Sequence, residues 1–111
     1  MQEPIIFSEY QRDLGECISG DIKNFSVQIT NNSNNSIKID CLSKCSCTKF
    51  DKSQDSKLTK ELEPFSHHYI NGTIDTKGML GRVRKSFDLI YYFKDIRDVV
   101  SRNVAFELTI K

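Results

Sequence analysis

Phe25-Ser26-Val27-Gln28-Ile29-Thr30-Asn31-Asn32-Ser33-Asn34-Asn35-Ser36-Ile37-Lys38-Ile39-Asp40-Cys41 is the stretch whose reading decides the fold. Phe25, Val27 and Ile29 alternate with polar residues, and Ile37, Ile39 and Cys41 do the same after a tract of Asn and Ser. A period of two gives an extended strand one apolar and one polar face. Asn and Ser suit the connection because their short side chains bond nearby backbone and tolerate left-handed conformations. Strands with a single apolar face need a second sheet to cover it.

The same period recurs in both directions from this stretch. Ile5, Ile6 and Phe7 make a short first strand. Leu58 and Leu62 flank another, ended by Glu63-Pro64, after the polar loop from Asp51 to Lys57. Tyr69 to Ile74 reads as a strand with Ile70 and Ile74 inward and Gly72 between them. Gly78 and Gly81 mark the next connection, after which Phe87, Leu89, Tyr91 and Phe93 alternate, as do Val104, Phe106, Leu108 and Ile110. Helical spacing is hard to find. About seven short strands separated by turn residues predict an all-β chain, an antiparallel β-sandwich filling residues 1–111 as one domain.

Composition bounds the function classes. A chain of 111 residues buries roughly two thirds of its unfolded surface, enough for a core without obligatory staples. Sixteen Lys and Arg against fifteen Asp and Glu give a net charge of +1, so no global field points to nucleic acid. The one local basic cluster, Arg82 with Arg84-Lys85, reads as a solvated strand face. Asp75-Thr76-Lys77-Gly78 reads as the turn leaving a strand. Leu89-Ile90-Tyr91-Tyr92-Phe93 falls far short of the roughly 20 apolar residues that span a bilayer. Met1-Gln2-Glu3-Pro4 lacks the basic and apolar segments of a signal peptide, which leaves open the mature part of an exported precursor.

Several landmarks occur in a telling order: Gly20-Asp21, Ile29-Thr30-Asn31, Ile37-Lys38-Ile39, Cys45-Ser46-Cys47-Thr48, Pro64, Ile70, Asp75-Thr76-Lys77-Gly78, Gly81 and Lys85. The set resembles the bacterial family called domain of unknown function 1573, which is similar to immunoglobulin-like domains of the MSP, ASH and Hydin type. The resemblance runs over roughly residues 5 to 110. Lys44 and Ser46 stand where that family usually has Ser and Gly, and Phe65 replaces a turn glycine after Pro64. Cys17 and Cys41 are additional. The resemblance implies an immunoglobulin-like sandwich with no established catalytic activity, exported to the periplasm or cell surface, with a lipid anchor possible upstream of Gln2.

Three of four cysteines lie within seven residues, in Cys41-Leu42-Ser43-Lys44-Cys45-Ser46-Cys47. Cys41 is in phase with Ile37 and Ile39, so it reads as a core thiol. Leu42 is out of phase, which indicates a bulge or a strand end. In an extended chain the Cα atoms of Cys45 and Cys47 would sit about 6.6 Å apart, near the upper limit for a disulfide. A bond between them requires a bent backbone, and a distant partner such as Cys17 or Cys41 is the more comfortable arrangement. Four cysteines allow three full pairings.

A zinc site wants four converging ligands, and C-x3-C-x-C is not the usual spacing. The expectation is therefore no cofactor and no metal. Were a metal bound, its ligands would be Cys45, Cys47 and Cys41, with at most one of His67 and His68. A cysteine nucleophile needs an adjacent oriented base, and no such motif surrounds these cysteines. The function expected is a monomeric, non-catalytic interaction or structural module whose partner is another protein. Its binding residues would be Cys45, Cys47, Thr48, Asp75 and Lys77. The alternatives are a thiol-based redox or metal-binding protein centred on the Cys-x-Cys segment, and a small immunity or inhibitor protein. Tyr92, out of phase with Tyr91, is expected to face away from the core.

Overall fold

A computed structural model describes residues 4–51, 55–92 and 99–111. Nine strands occur among them: β1 (Ile5–Tyr10), β2 (Asp13–Cys17), β3 (Ile22–Asn31), β4 (Ile37–Leu42), β5 (Thr48–Phe50), β6 (Lys57–Leu62), β7 (His67–Asp75), β8 (Gly81–Tyr92) and β9 (Val99–Ile110). They form two sheets, ordered β1-β3-β7-β5 and β2-β9-β8-β4-β6. The all-β sandwich expected from the alternation is the architecture found. Each apolar phase points between the sheets. Val27, Ile29, Ile39, Cys41, Ile70, Ile74, Leu89 and Leu108 are fully buried. Burial of this apolar area is the main force holding the sheets face to face. The twelve-residue strands β8 and β9 span roughly 40 Å, which accounts for the long axis of the 45 × 21 × 21 Å molecule.

Two strands exceed the seven expected, each for a local reason. β5 has only three residues, too short to show a period. In β2 the apolar residues Leu14 and Cys17 are three apart, yet both turn inward. A register shift between Asp13 and Glu16 makes this possible. It is centred on Gly15, whose φ of 84° lies in the region glycine enters without steric cost. β2 also departs from the antiparallel expectation, for it pairs parallel to β9. The chain leaves β1 in one sheet and continues as β2 in the other, and Arg12 accepts the Glu107 N–H at that crossing. Arg82 fastens the pair from outside, donating to Asp13 and Glu107, both at 2.9 Å.

Aromatic rings tie the two sheets together. Phe25 of β3 and Phe50 of β5 face Phe87 of β8 and Phe106 of β9, with centroids 4.7 Å apart for Phe25–Phe106 and 5.2 Å for Phe50–Phe87. The Phe25 ring lies over Gly72 of β7. A Cβ at that position would collide with the ring and with the Lys49 carbonyl. Gly72 is thus an inward position that has to stay empty. Buried Asn31 closes the other end, its amide donating to the carbonyls of Asn35, Leu62 and Glu63 at 2.8–3.1 Å.

Between β6 and β7, Phe65 adopts a φ of 53° with its ring exposed. This is the left-handed conformation in which a Cβ crowds the following carbonyl. The resemblance placed a glycine at this turn, and Phe65 adopts a conformation that favours glycine. Phe93 and the middle of the loop before β6, residues 52–54, lie outside the described residues.

Two stability changes follow from these glycine-like positions. Gly72→Ala lowers stability by about 3 kcal/mol through overpacking against Phe25, read as an earlier midpoint in urea unfolding. Phe65→Gly raises stability by about 0.5–1 kcal/mol, since relief of the left-handed strain outweighs the added chain entropy. A melting temperature unchanged or lowered in Phe65→Gly would contradict it.

Candidate functional site

Strand β4 ends at Leu42, the residue whose phase predicted a bulge or strand end. Beyond it the chain does not stay extended. The Ser43 N–H bonds the Ser56 carbonyl at 2.8 Å, and the Ser43 hydroxyl accepts the Cys45 N–H at 3.2 Å. The Thr48 N–H returns to the Cys45 carbonyl at 3.2 Å, closing a β-turn over Cys45–Thr48. Ser56 adds a hydroxyl bond to the Thr48 carbonyl at 2.8 Å.

This turn overturns the expected disulfide arrangement. Cys45 and Cys47 are bonded to each other, with Cα atoms 5.1 Å apart, because the turn contracts the extended spacing. Cys17 and Cys41, the distant partners considered, are both free and buried. With both loop sulfurs in the bond, Cys45, Cys47 and Cys41 do not form a ligand set. His67 and His68 sit at the far end of β7, about 23 Å from Asp75 along the strand. Their rings bond Thr30 and Ser66 instead. Among the described residues no three His, Cys, Asp or Glu side chains are grouped to hold a metal ion.

The other predicted site residues divide. The Asp75 N–H bonds the Cys47 carbonyl at 2.8 Å, so the structure does bring the cysteine turn and the end of β7 together. The Asp75 carboxylate, however, accepts the Lys77 N–H at 3.0 Å and closes its own turn. Lys77 is exposed there. Thr48 is 2% exposed, its side chain turned into the sandwich. Thr76 beside them is buried and structural. Its hydroxyl donates to the Asp21 carbonyl at 2.7 Å and accepts the Gly20 N–H at 3.1 Å.

Lys85, expected from the sequence to be a landmark and part of a solvated basic face, is instead half-buried beside the disulfide. It shares the inward phase of Phe87, Leu89 and Tyr91, and lies between Phe87 and Val83, both of which pack in or against the core. A charge on an apolar phase was the available signal. At this end of the sandwich the Cys45–Thr48 turn covers β8, and the Lys85 ammonium lies 3.9 Å from Cys45 Sγ. The Cys47 N–H points at the same sulfur from 3.2 Å. Among the described residues, Cys47 Sγ faces the Thr48 hydroxyl alone, at 3.7 Å. Beside the disulfide is an open cleft of about 360 Å³ whose lining includes Leu42, Lys44, Arg84, Lys85 and Asp88. Asp88 accepts from Asn103 at 3.0 Å, and its one negative charge is outnumbered by Lys44, Arg84 and Lys85, so the cleft is predominantly cationic. The basic cluster read as one solvated face is therefore divided. Arg82 is neutralised by Asp13 and Glu107, Arg84 points to solvent, and Lys85 faces the disulfide.

Electrostatics sharpen the contrast among the groups. Hydrogen bonds from Arg82, and next from the Gly15 N–H, hold the Asp13 carboxyl below the usual carboxylate range. Burial, aided by nearby Asp40, pushes the Cys41 thiol up to about 12. Cys41 is an inert core group, as its phase predicted.

No family model matches the chain, and no curated protein matches it. The fold is similar to that of the ASH / PapD-like domain of human CEP192 (PapD-like domain 7). The TM-score is 0.68 at 12% sequence identity, over 100% of this chain and 89% of that one. At that identity the likeness concerns the fold. It agrees with the immunoglobulin-like sandwich of ASH type that the landmarks implied.

Cys41 provides the check on burial. Iodoacetamide leaves it unmodified in the folded protein and reacts with it after denaturation; reaction at a free-thiol rate in the folded state would contradict the packing. Because its folded pKa is raised, its contribution to stability is complete below the unfolded value of about 8.5. That contribution is lost as pH rises toward about 12.

Proposed function

We propose that this chain is a non-catalytic, extracytoplasmic interaction module that engages another protein through the end of the sandwich bearing the Cys45–Thr48 turn. The observation that carries this reading is the Cys45–Cys47 disulfide. Disulfides persist in oxidising compartments and are rare in the cytosol. The sequence landmarks of the domain of unknown function 1573 family support the same location, including attachment by a lipid upstream of the domain. Non-catalytic character is supported by the arrangement of the reactive side chains. Among the described residues, the two histidines lie at the opposite end from the cysteine turn, and the Asp75 carboxylate is committed to its own turn. A sandwich of this type hosts many unrelated functions, so the role has to be argued from the site. Here the site is a rigid loop beside a cationic cleft, suited to an acidic segment of a protein partner and steering its approach.

Two measurements in the native host test the reading. Cells are quenched with acid, and their thiols are tagged before and after reduction. Two tagged cysteines before reduction and four after are expected; four before reduction would overturn the extracytoplasmic assignment. A photo-crosslinking residue placed at Arg84 is expected to join the chain to a second polypeptide. The yield should fall at least several-fold when Lys44 is replaced by Glu. Crosslinking that is absent, or indifferent to that charge reversal, would overturn the binding assignment.

A further inference from the structure

The two sulfurs of the disulfide are not equivalent. Cys45 Sγ has two donors aimed at it, the Lys85 ammonium at 3.9 Å and the Cys47 N–H at 3.2 Å, whereas among the described residues Cys47 Sγ has the neighbouring Thr48 hydroxyl alone. Lys85 forms no direct ion pair among the described residues, although the Asp88 carboxylate lines the same cleft. A neutral disulfide sulfur is a weak acceptor for an ammonium. A thiolate in the same place would be a strong one. The arrangement matches the reduced form of Cys45 better than the oxidised form present. The remaining charged groups lining the cleft are Lys44 and Arg84, with Asp88 held by Asn103. The local field therefore also favours an anion. Both cysteines are only partly buried, in contrast to Cys17 and Cys41.

We infer that Cys45–Cys47 is an exchangeable disulfide that accepts electrons from a dithiol of a partner protein, with Cys47 as the attacked sulfur and Cys45 as the leaving group. This goes beyond the interaction role while resting on the same disulfide. In the first step a partner thiolate attacks Cys47 Sγ, forming a partner–Cys47 disulfide and breaking the Cys45–Cys47 bond. The electron pair of that bond departs on Cys45 as a thiolate beside Lys85. In the second step the partner's other thiol, as thiolate, attacks its own sulfur in the mixed disulfide and releases Cys47 as a thiolate, which takes up a proton. The partner dithiol is oxidised to a disulfide by two electrons, and the Cys45–Cys47 pair is reduced by two. A leaving thiol with a lowered pKa departs faster, which is the role the geometry gives Lys85.

The test uses the purified chain, glutathione and iodoacetamide. Oxidised protein is exposed briefly to glutathione, quenched with acid, and the adduct located by peptide mass spectrometry. The adduct is expected on Cys47; an adduct on Cys45, or shared equally, overturns the proposal. Separately, reduced protein is alkylated across a pH series. Cys45 is expected to react first, with a midpoint below the roughly 8.5 of a free cysteine. Lys85→Met should raise that midpoint by about one unit, lowering the rate near neutral pH roughly tenfold. Lys85→Arg should restore it, and the charge-matched control Lys49→Met should leave it unmoved. A midpoint unaffected by Lys85→Met refutes the role of the lysine, and if that variant does not fold, the adduct position in wild-type protein decides. Four free thiols in native cells would refute the extracytoplasmic reading alone, since the exchange chemistry is read on oxidised protein in vitro.

Discussion

The packing of the Phe25 ring into the space left by Gly72 is the contact on which the rest of the molecule depends. A sheet normally presents a side chain at every inward position, and here one is missing. The vacancy lets an aromatic ring from the neighbouring strand lie against bare backbone and reach Phe87 and Phe106 of the opposite sheet. Phe50 completes the cluster edge-on. Since Phe50 ends the three-residue strand that begins at Thr48, the core holds one limb of the cysteine turn directly. The turn is therefore anchored to the core through Phe50.

A fixed turn explains how the cysteine segment acquires chemical character without a catalytic motif. The hydroxyls of Ser43 and Ser56 hold the backbone from one side, and the Asp75 N–H holds it from the other. Against that frame, a single half-buried lysine on the inward phase of β8 distinguishes two sulfurs that are equivalent by sequence. Position along the strand, more than residue type, sets the difference.

Most of the fold was legible because period-two alternation reports directly which face of a strand is buried. Phe25 to Ile29, Ile37 to Cys41, and Phe87 to Tyr91 all point as their phase requires. β2 was illegible because a bulge at Gly15 brings residues three apart onto one face, which no fixed period describes. Its parallel pairing depends on a crossing between sheets that leaves no local signature. The candidate site was half legible. Cys45, Cys47 and Asp75 were identified and do converge, but their bonding followed from a β-turn that distances along an extended chain cannot represent. Thr48 proved buried because it opens a strand too short to be seen. Lys85 was visible in phase and was set aside as part of a basic run, a grouping by neighbours in sequence that the strand splits between two faces.

The passage of the first strand from one sheet to the other has a consequence for solution behaviour. β1 pairs with β3 and β2 with β9, so one short stretch of chain supplies a short edge strand to each sheet in front of a longer one. Unpaired edges recruit other chains through their free backbone groups. The sheets thus end on four short strands, of which β5 is only three residues long and β6 carries Lys57, Lys60 and Glu61. Brevity and charge both discourage further strand addition. Residues Ile5 to Cys17 thus act as a single double-sided border, and loosening them would turn a discrete sandwich into one with two adhesive margins at once.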